Sequence, residues 1–190
     1  MNFLSIAILY ALSGFLMKLS DDEYDEKSNK IIAIIIGILC GLAIAYLSSN
    51  NIDASYIFIG ILIGTGLSFK IDGIHHLLTL LTFLVLLLIL HIPSLNLITL
   101  GICIFSAFID EIGNDNQRIY KKNKFLKVFF EYRFSMKIAI FILAILGFYQ
   151  DLTGFQIANL VFLNISTFIY FLLFEISYEL VGFTFKKYLN

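Results

Sequence analysis

A run of 37 residues, 73–109, contains no Asp, Glu, Lys or Arg and strongly limits what this chain can fold into. As one straight helix this run would be about 55 Å long, whereas the hydrocarbon core of a bilayer is about 30 Å thick. The only proline of the chain, Pro93, lies near the middle of the run with polar neighbours, His91 and Asn96. Because proline interrupts a helix, the run is expected to fold back there as two membrane-spanning helices.

The composition agrees with a chain that lies in lipid. Hydrophobic residues make up 59% of the sequence, charged residues 14%, and the mean hydropathy is +0.91. A backbone in lipid must satisfy its own hydrogen bonds, so uncharged runs of this kind favour helices. We therefore predict one all-α integral membrane domain over residues 1–190. Seven transmembrane helices are expected, at 1–17, 31–48, 54–69, 74–91, about 95–109, 134–150 and 154–174.

The basic residues predict the orientation of these helices. With seven crossings, all 13 Lys and Arg residues fall on the face that holds loops 1, 3 and 5 and the C-terminus. The positive-inside rule then places the C-terminus in the cytoplasm and the N-terminus outside, in a multi-pass protein of the cell membrane. A formal net charge of −1 gives no basic field for binding nucleic acid. Cys40 and Cys103 are too far apart in sequence for a Cys-x-x-Cys metal or redox motif.

Two offsets of the chain against itself indicate an internal repeat. Residues 28–39 align with 135–146, and the acidic motif at 21–26 aligns with 110–115 as D-[DE]-x-x-[DN]-[DE]. We predict two parallel three-helix repeats, about 1–72 and about 95–180, joined by a connector helix at 74–91. Two glycine pairs, at 37 and 41 and at 60 and 64, have the spacing that lets membrane helices approach closely.

The acidic motifs are the main candidate for chemistry. Asp21 and Asp25 are four residues apart, as are Glu111 and Asp115, so each pair shares a face if its helix continues past the bilayer. Closely spaced carboxylates repel one another unless they share a hard cation or stay hydrated. Two such faces meeting across a pseudo-twofold axis would form an oxygen-lined Mg²⁺ site. The alternative, a solvated acidic loop, is equally compatible with the sequence.

This pattern resembles the UbiA superfamily of membrane prenyltransferases, which carry two aspartate-rich motifs at the cytoplasmic ends of two helices. Asp22 and Asp25 match the first motif, with Asp21 in place of its Asn and Asn29 in place of its last Asp. The second motif begins with Glu111 instead of Asp, and four predicted helices separate the two motifs, as in the family. The chain is short for the family and lacks its Arg-Pro segment.

The resemblance implies Mg²⁺-dependent binding or transfer of an isoprenoid diphosphate, although no catalytic residue is singled out. A separate candidate base is Asp72, for which a helix-start role is the alternative. The basic run after the second motif is also explained by the positive-inside rule. The metal ligands implied are Asp21, Asp22, Asp25, Glu111 and Asp115, and the phosphate-binding residues implied are Arg118, Lys121, Lys122 and Lys124.

Two other classes of function stay open. A small transporter or channel would use the same repeat architecture, with polar side chains inside helices as its path. Its candidates are Thr79, Thr82, Asn159 and Asn164. An accessory subunit of a membrane complex would need no chemistry at all. His75 and His76 lie about 24 Å along a helix from His91, so the three imidazoles are not expected to bind one metal ion.

Overall fold

The computed structural model of the chain describes residues 1–69, 73–116, 123–157 and 160–189, and these residues form helices and connections without a strand. Eight helices lie within these ranges. They are α1 (Phe3–Asp25), α2 (Lys30–Asn50), α3 (Ile52–Leu67), α4 (Ile74–Leu90), α5 (Leu97–Asp115), α6 (Lys124–Glu131), α7 (Phe134–Thr153) and α8 (Ile165–Leu189).

Asparagine side chains start several of these helices. Asn2 accepts a hydrogen bond from the backbone N–H of Ser5 at the start of α1, and Asn29 accepts one from Ile32 at the start of α2. Asn96 and Asn123 act in the same way before α5 and α6. The first N–H groups of a helix have no partner inside it, so a side-chain oxygen at this position stabilises the start.

The long uncharged run is divided into two helices where the sequence predicts it. Helix α4 ends at Leu90, α5 begins at Leu97, and the connection between them contains Pro93. A short separate helix, α6, follows the second acidic motif.

Five helices are long and apolar enough to cross a membrane: α1, α2, α5, α7 and α8. Helices α3 and α4 are apolar but shorter, with 16 and 17 residues. At 1.5 Å per residue they reach about 24–26 Å, slightly less than the hydrocarbon thickness. Large apolar side chains are also widely exposed, such as Leu88 and Ile89 on α4 at 69% and 72%. The chain thus has the helices of a multi-pass membrane protein.

The predicted last helix, 154–174, is wrong at both ends. Gly154 ends α7 in a left-handed conformation, with φ of +70°, and α8 begins only at Ile165. The helix then continues to Leu189. Apolar residues after Gly154 carry the hydropathy of a membrane helix, but local backbone geometry and a cap at Asn164 decide the boundary. Helices α1 and α5 are longer than predicted, because the acidic motifs continue them.

The helices form two compact units, each made of separate parts of the sequence. Unit 1 contains α1, α2, α4 and α8 from Ile169 onward, and its α2 packs against both α1 and α4. Unit 2 contains α3, α5, α6, α7 and the first residues of α8, and its α5 packs against α6 and α7. Each unit has its own core of fully buried side chains, among them Tyr10, Leu47 and Phe171 in unit 1 and Tyr56, Ile57 and Ile140 in unit 2.

The glycine pairs on α2 and α3 mark close helix contacts, as predicted. A Cβ atom built on Gly41 would lie 2.7 Å from the carbonyl oxygen of Thr79 on α4. A Cβ atom built on Gly64 would lie 2.7 Å from the Cβ of Ala107 on α5. Because real Cβ atoms do not come this close to other atoms, both contacts depend on the absence of a side chain.

Candidate functional site

In unit 1, the first acidic motif forms the last two turns of α1. Asp22 is 6% exposed, Asp21 is partly buried and Asp25 is exposed. Lys18 lies one turn earlier, and its Nζ is 2.9 Å from Oδ1 of Asp22. The other carboxylate oxygen of Asp22, Oδ2, is buried and has no hydrogen-bond partner among the described residues. A buried carboxylate oxygen without a partner costs free energy, so this oxygen is suited to receive a cation.

Lys18 is held in place by α8 as well as by Asp22. The Cε atom of Lys18 lies only 2.7 Å from the position that a Cβ on Gly182 would occupy. Its Nζ atom is 5.4 Å from the ring centroid of Tyr178. The packed aliphatic chain keeps the ammonium group beside the acidic motif. One positive charge therefore balances part of the negative charge at the end of α1.

Asp21 lies next to two histidines at the start of α4. The distances from its Oδ1 atom to the Nε2 atoms of His75 and His76 are 3.5 Å and 3.7 Å. No metal motif of the sequence links these imidazoles to Asp21, because the residues are so distant in the chain. Only the packing within unit 1 brings the three side chains together.

In unit 2, the second motif forms the last two turns of α5. Glu111 is 6% exposed, and its Oε1 lies 3.3 Å from Nη2 of Arg133, directly before α7. Asp115 is exposed and is the last residue of α5. The predicted pairing of acids along one helix is thus present in each unit, and Glu111 already has a cationic partner.

Asp110, the first acid of the second motif, has a structural role that is not predicted from the sequence. It is 2% exposed, and its two oxygens accept hydrogen bonds from the backbone N–H groups of Ser135 and Met136, at 2.9 Å and 2.8 Å. These are first-turn groups of α7, whose preceding residue, Arg133, provides no side-chain cap. A carboxylate from another helix therefore caps α7.

Asp53, at the start of α3, fixes α8 in a similar way. Its Oδ2 accepts hydrogen bonds from the N–H of Asn164, at 2.9 Å, and from the hydroxyl of Thr167, at 2.6 Å. Asp53 is 8% exposed and belongs to no motif of the sequence. The one sequence feature that could have indicated its role is its position as a lone acid at the border of an apolar run.

The other predicted residues that the structure describes lie outside the two acidic motifs. Lys124 is exposed at the first residue of α6. Thr79, considered for a transport path, donates to the carbonyl of His75 and packs against Gly37, so it joins helices. Asn164 caps α8. Outside the described residues lie Asp72, Arg118, Lys121, Lys122 and Asn159.

We compared the chain with known protein families, curated sequences and solved structures. No protein-family model, no curated protein sequence and no solved structure matches the chain.

Proposed function

We propose that this chain is a multi-pass protein of the cell membrane that binds an isoprenoid diphosphate together with Mg²⁺ at the acidic ends of α1 and α5. The observation that carries the proposal is the buried Oδ2 of Asp22, a carboxylate oxygen without a hydrogen-bond partner in the described chain. It lies at the end of a 23-residue apolar helix, where a lipid tail and a charged headgroup would separate.

The seven crossings and the orientation belong to this proposal. Helices α3 and α4 would cross with the five longer ones, and the N-terminus would lie outside and the C-terminus in the cytoplasm. The two parallel three-helix repeats are part of it as well. Their support is that α1 and α5, the first helix of each repeat, both end in an acidic motif.

The carboxylates fit the preference of Mg²⁺ for oxygen ligands. In unit 1, Asp22 and Asp25 would provide such ligands, with Asp21 as a further oxygen donor. In unit 2, Glu111 and Asp115 would provide them. When bound, Mg²⁺ would neutralise the diphosphate and hold it against the carboxylates.

The basic residues beside the motifs have a matching role in this proposal. Lys18 and Arg133 are paired with Asp22 and Glu111, at 2.9 Å and 3.3 Å. If these carboxylates turn toward the metal, the same cations are placed to bind phosphate oxygens. Lys124 and the basic residues before it, Arg118, Lys121 and Lys122, would add positive charge.

A thermal-shift measurement tests the proposal. Detergent-purified wild type is heated with Mg²⁺ and an unreactive prenyl thiodiphosphate, each alone and both together. A ligand that binds only the folded state stabilises it by about 2.7 kcal/mol at 100 times its Kd. We expect the melting temperature to rise only when both are present, and the rise to shrink in Asp22→Asn, Asp25→Asn and Glu111→Gln.

The matched control is Asp151→Asn, which changes an exposed acid in the last turn of α7. It should keep the full wild-type shift. If wild type shows no shift at saturating analogue, the diphosphate proposal is wrong, and ion or solute flux in liposomes becomes the next measurement. If only one motif's variants lose the shift, that motif alone binds the ligand.

A further inference from the structure

Three side chains of unit 1 bring their donor atoms together beside the acids considered above. Asp21 comes from the end of α1, and His75 and His76 come from the first turn of α4. One oxygen and one nitrogen from each imidazole all lie within 4.8 Å of one another. The two nitrogens nearest to Oδ1 of Asp21 are the Nε2 atoms, at 3.5 Å and 3.7 Å.

His75 gives an independent reason to expect a ligand there. Its side chain is 2% exposed, and within the described ranges neither Nδ1 nor Nε2 has a hydrogen-bond partner. An imidazole always carries at least one polar nitrogen that needs a partner, and burial removes water from that role. A metal ion beside Asp21 would satisfy the Nε2 atom directly.

The two distances from Asp21 to the imidazoles are close to those in a four-coordinate metal site. Metal–ligand bonds of about 2.0–2.1 Å in a tetrahedral site place neighbouring ligand atoms about 3.4 Å apart. The two observed distances, 3.5 Å and 3.7 Å, exceed this by a few tenths of an ångström. The donor nitrogens of the two imidazoles lie within 4.8 Å of each other, so side-chain rotation would have to bring them closer around one ion.

The surroundings hold the donors in this arrangement. The hydroxyl of Tyr178 on α8 donates to Oδ2 of Asp21 at 3.2 Å, which leaves Oδ1 toward the imidazoles. The ring of Tyr24 stacks on His75 with centroids 4.2 Å apart. A Cβ on Gly73 would lie 2.4 Å from the ring of His75, so glycine makes room for the imidazole. Such supporting contacts are typical around metal ligands.

We propose that Asp21, His75 and His76 bind a divalent transition-metal ion of the Zn²⁺ class. Two imidazoles and one carboxylate favour Zn²⁺, Co²⁺, Ni²⁺ or Fe²⁺ over Mg²⁺, which prefers oxygen ligands. Three protein ligands leave a fourth position for water or a substrate atom. This site shares Asp21 with the diphosphate proposal, but it uses neither Asp22 nor Asp25, and its two imidazole ligands have no part in that proposal.

Metal titration tests the site. The full chain is purified in detergent through a tag without histidine, stripped with a chelator and titrated with Co²⁺, whose visible absorption reports coordination geometry. We expect one Co²⁺ per chain with a tetrahedral spectrum, displaced by Zn²⁺ and not by Mg²⁺. His76→Asn and Asp21→Asn should weaken binding at least about 10-fold, the loss that even outer-shell substitutions cause.

Two control variants test whether Co²⁺ binding is specific to these three side chains. His91→Asn removes the third histidine, which is exposed at the end of α4, and should bind Co²⁺ as wild type does. Asp25→Asn should also bind Co²⁺ normally, even if it abolishes the diphosphate shift. Stripped wild type that binds no stoichiometric Co²⁺, or a His76→Asn affinity equal to that of His91→Asn, would overturn the proposal. Cooperative thermal unfolding of each metal-free variant verifies that it is folded.

Discussion

At the scale of single residues, the acids of this chain serve several purposes that look alike in the sequence. Asp110 and Asp53 are buried and accept hydrogen bonds at the starts of α7 and α8. Asp22 and Glu111 pair with cations, and Asp21 lies against two imidazoles. An acid at the border of an apolar helix can thus be a cap, half of an ion pair or a ligand, depending on which neighbour it meets.

The capping role of Asp110 can be tested by removing its carboxylate. Asp110→Ala leaves the N–H groups of Ser135 and Met136 without their acceptor. We expect the free energy of unfolding to fall by about 1–2 kcal/mol, as for the loss of a helix cap. Denaturant unfolding in detergent measures this loss, and faster hydrogen exchange at the first turn of α7 locates it.

Asp151→Ala is the matched control for Asp110→Ala. Asp151 is exposed in the last turn of α7, so its removal should change the free energy of unfolding by less than about 0.5 kcal/mol. Equal stability of the Asp110→Ala and Asp151→Ala variants would show that the cap contributes nothing.

At the scale of helices, glycines determine how closely neighbours approach. Helix α2 contacts α4 through Gly37 and Gly41, and α3 contacts α5 through Gly60 and Gly64. Since lipid is as apolar as a leucine side chain, membrane helices associate through close packing and hydrogen bonds more than through the hydrophobic effect. A short helix such as α3 depends strongly on this packing, because it has few residues with which to contact its neighbours.

The same substitution at two glycines tests this dependence. In Gly64→Ala the new Cβ would lie 2.7 Å from Ala107 Cβ and 2.9 Å from the carbonyl oxygen of Ile104. Helices α3 and α5 must then separate, so we expect a loss of about 1–3 kcal/mol. Thermal unfolding of the purified protein measures the change.

Gly101→Ala provides the comparison, because nothing lies within 4 Å of its Cβ position on α5. Alanine favours a helix over glycine by about 1 kcal/mol, so this variant should be as stable as wild type or more stable. If both variants lost the same stability, the close contact at Gly64 would not be the cause of the loss.

At the scale of the whole molecule, the charges and the apolar helices predict how the chain lies in a bilayer. All 13 Lys and Arg residues fall on one side of the predicted seven-crossing topology. The two native thiols, Cys40 and Cys103, are both 0% exposed and should not react with a thiol reagent in water. Labelling of an introduced, exposed cysteine therefore reports the side of the membrane on which that cysteine lies.

Two single cysteines test the orientation. Gln156→Cys lies in the exposed connection after α7, on the predicted outer side, and Glu26→Cys lies after α1, on the predicted inner side. In intact cells we expect a membrane-impermeant maleimide to label Gln156→Cys alone, and permeabilisation to expose Glu26→Cys. The unsubstituted chain is the control for background labelling. Labelling of Glu26→Cys in intact cells would show that the predicted orientation is wrong and that this residue lies outside.

The class of the fold and several helix starts can be predicted from the amino-acid sequence. These are local properties: an uncharged run in lipid must be helical, Pro93 divides the longest run, and asparagines cap the helices that follow them. The close contacts at Gly41 and Gly64 are also predictable, because small residues four apart leave a groove on one helix face.

Packing between helices decides where α8 begins and which acids meet which partners. Asn164 is fixed by Asp53, 111 residues away in sequence, and Asp21 meets His75 only because α1 and α4 pack in the same unit. Hydropathy and spacing describe one helix at a time. They carry no information on which helix ends come together. The packing of the helix ends decides whether a carboxylate of this chain becomes a cap, part of an ion pair or part of the candidate metal site.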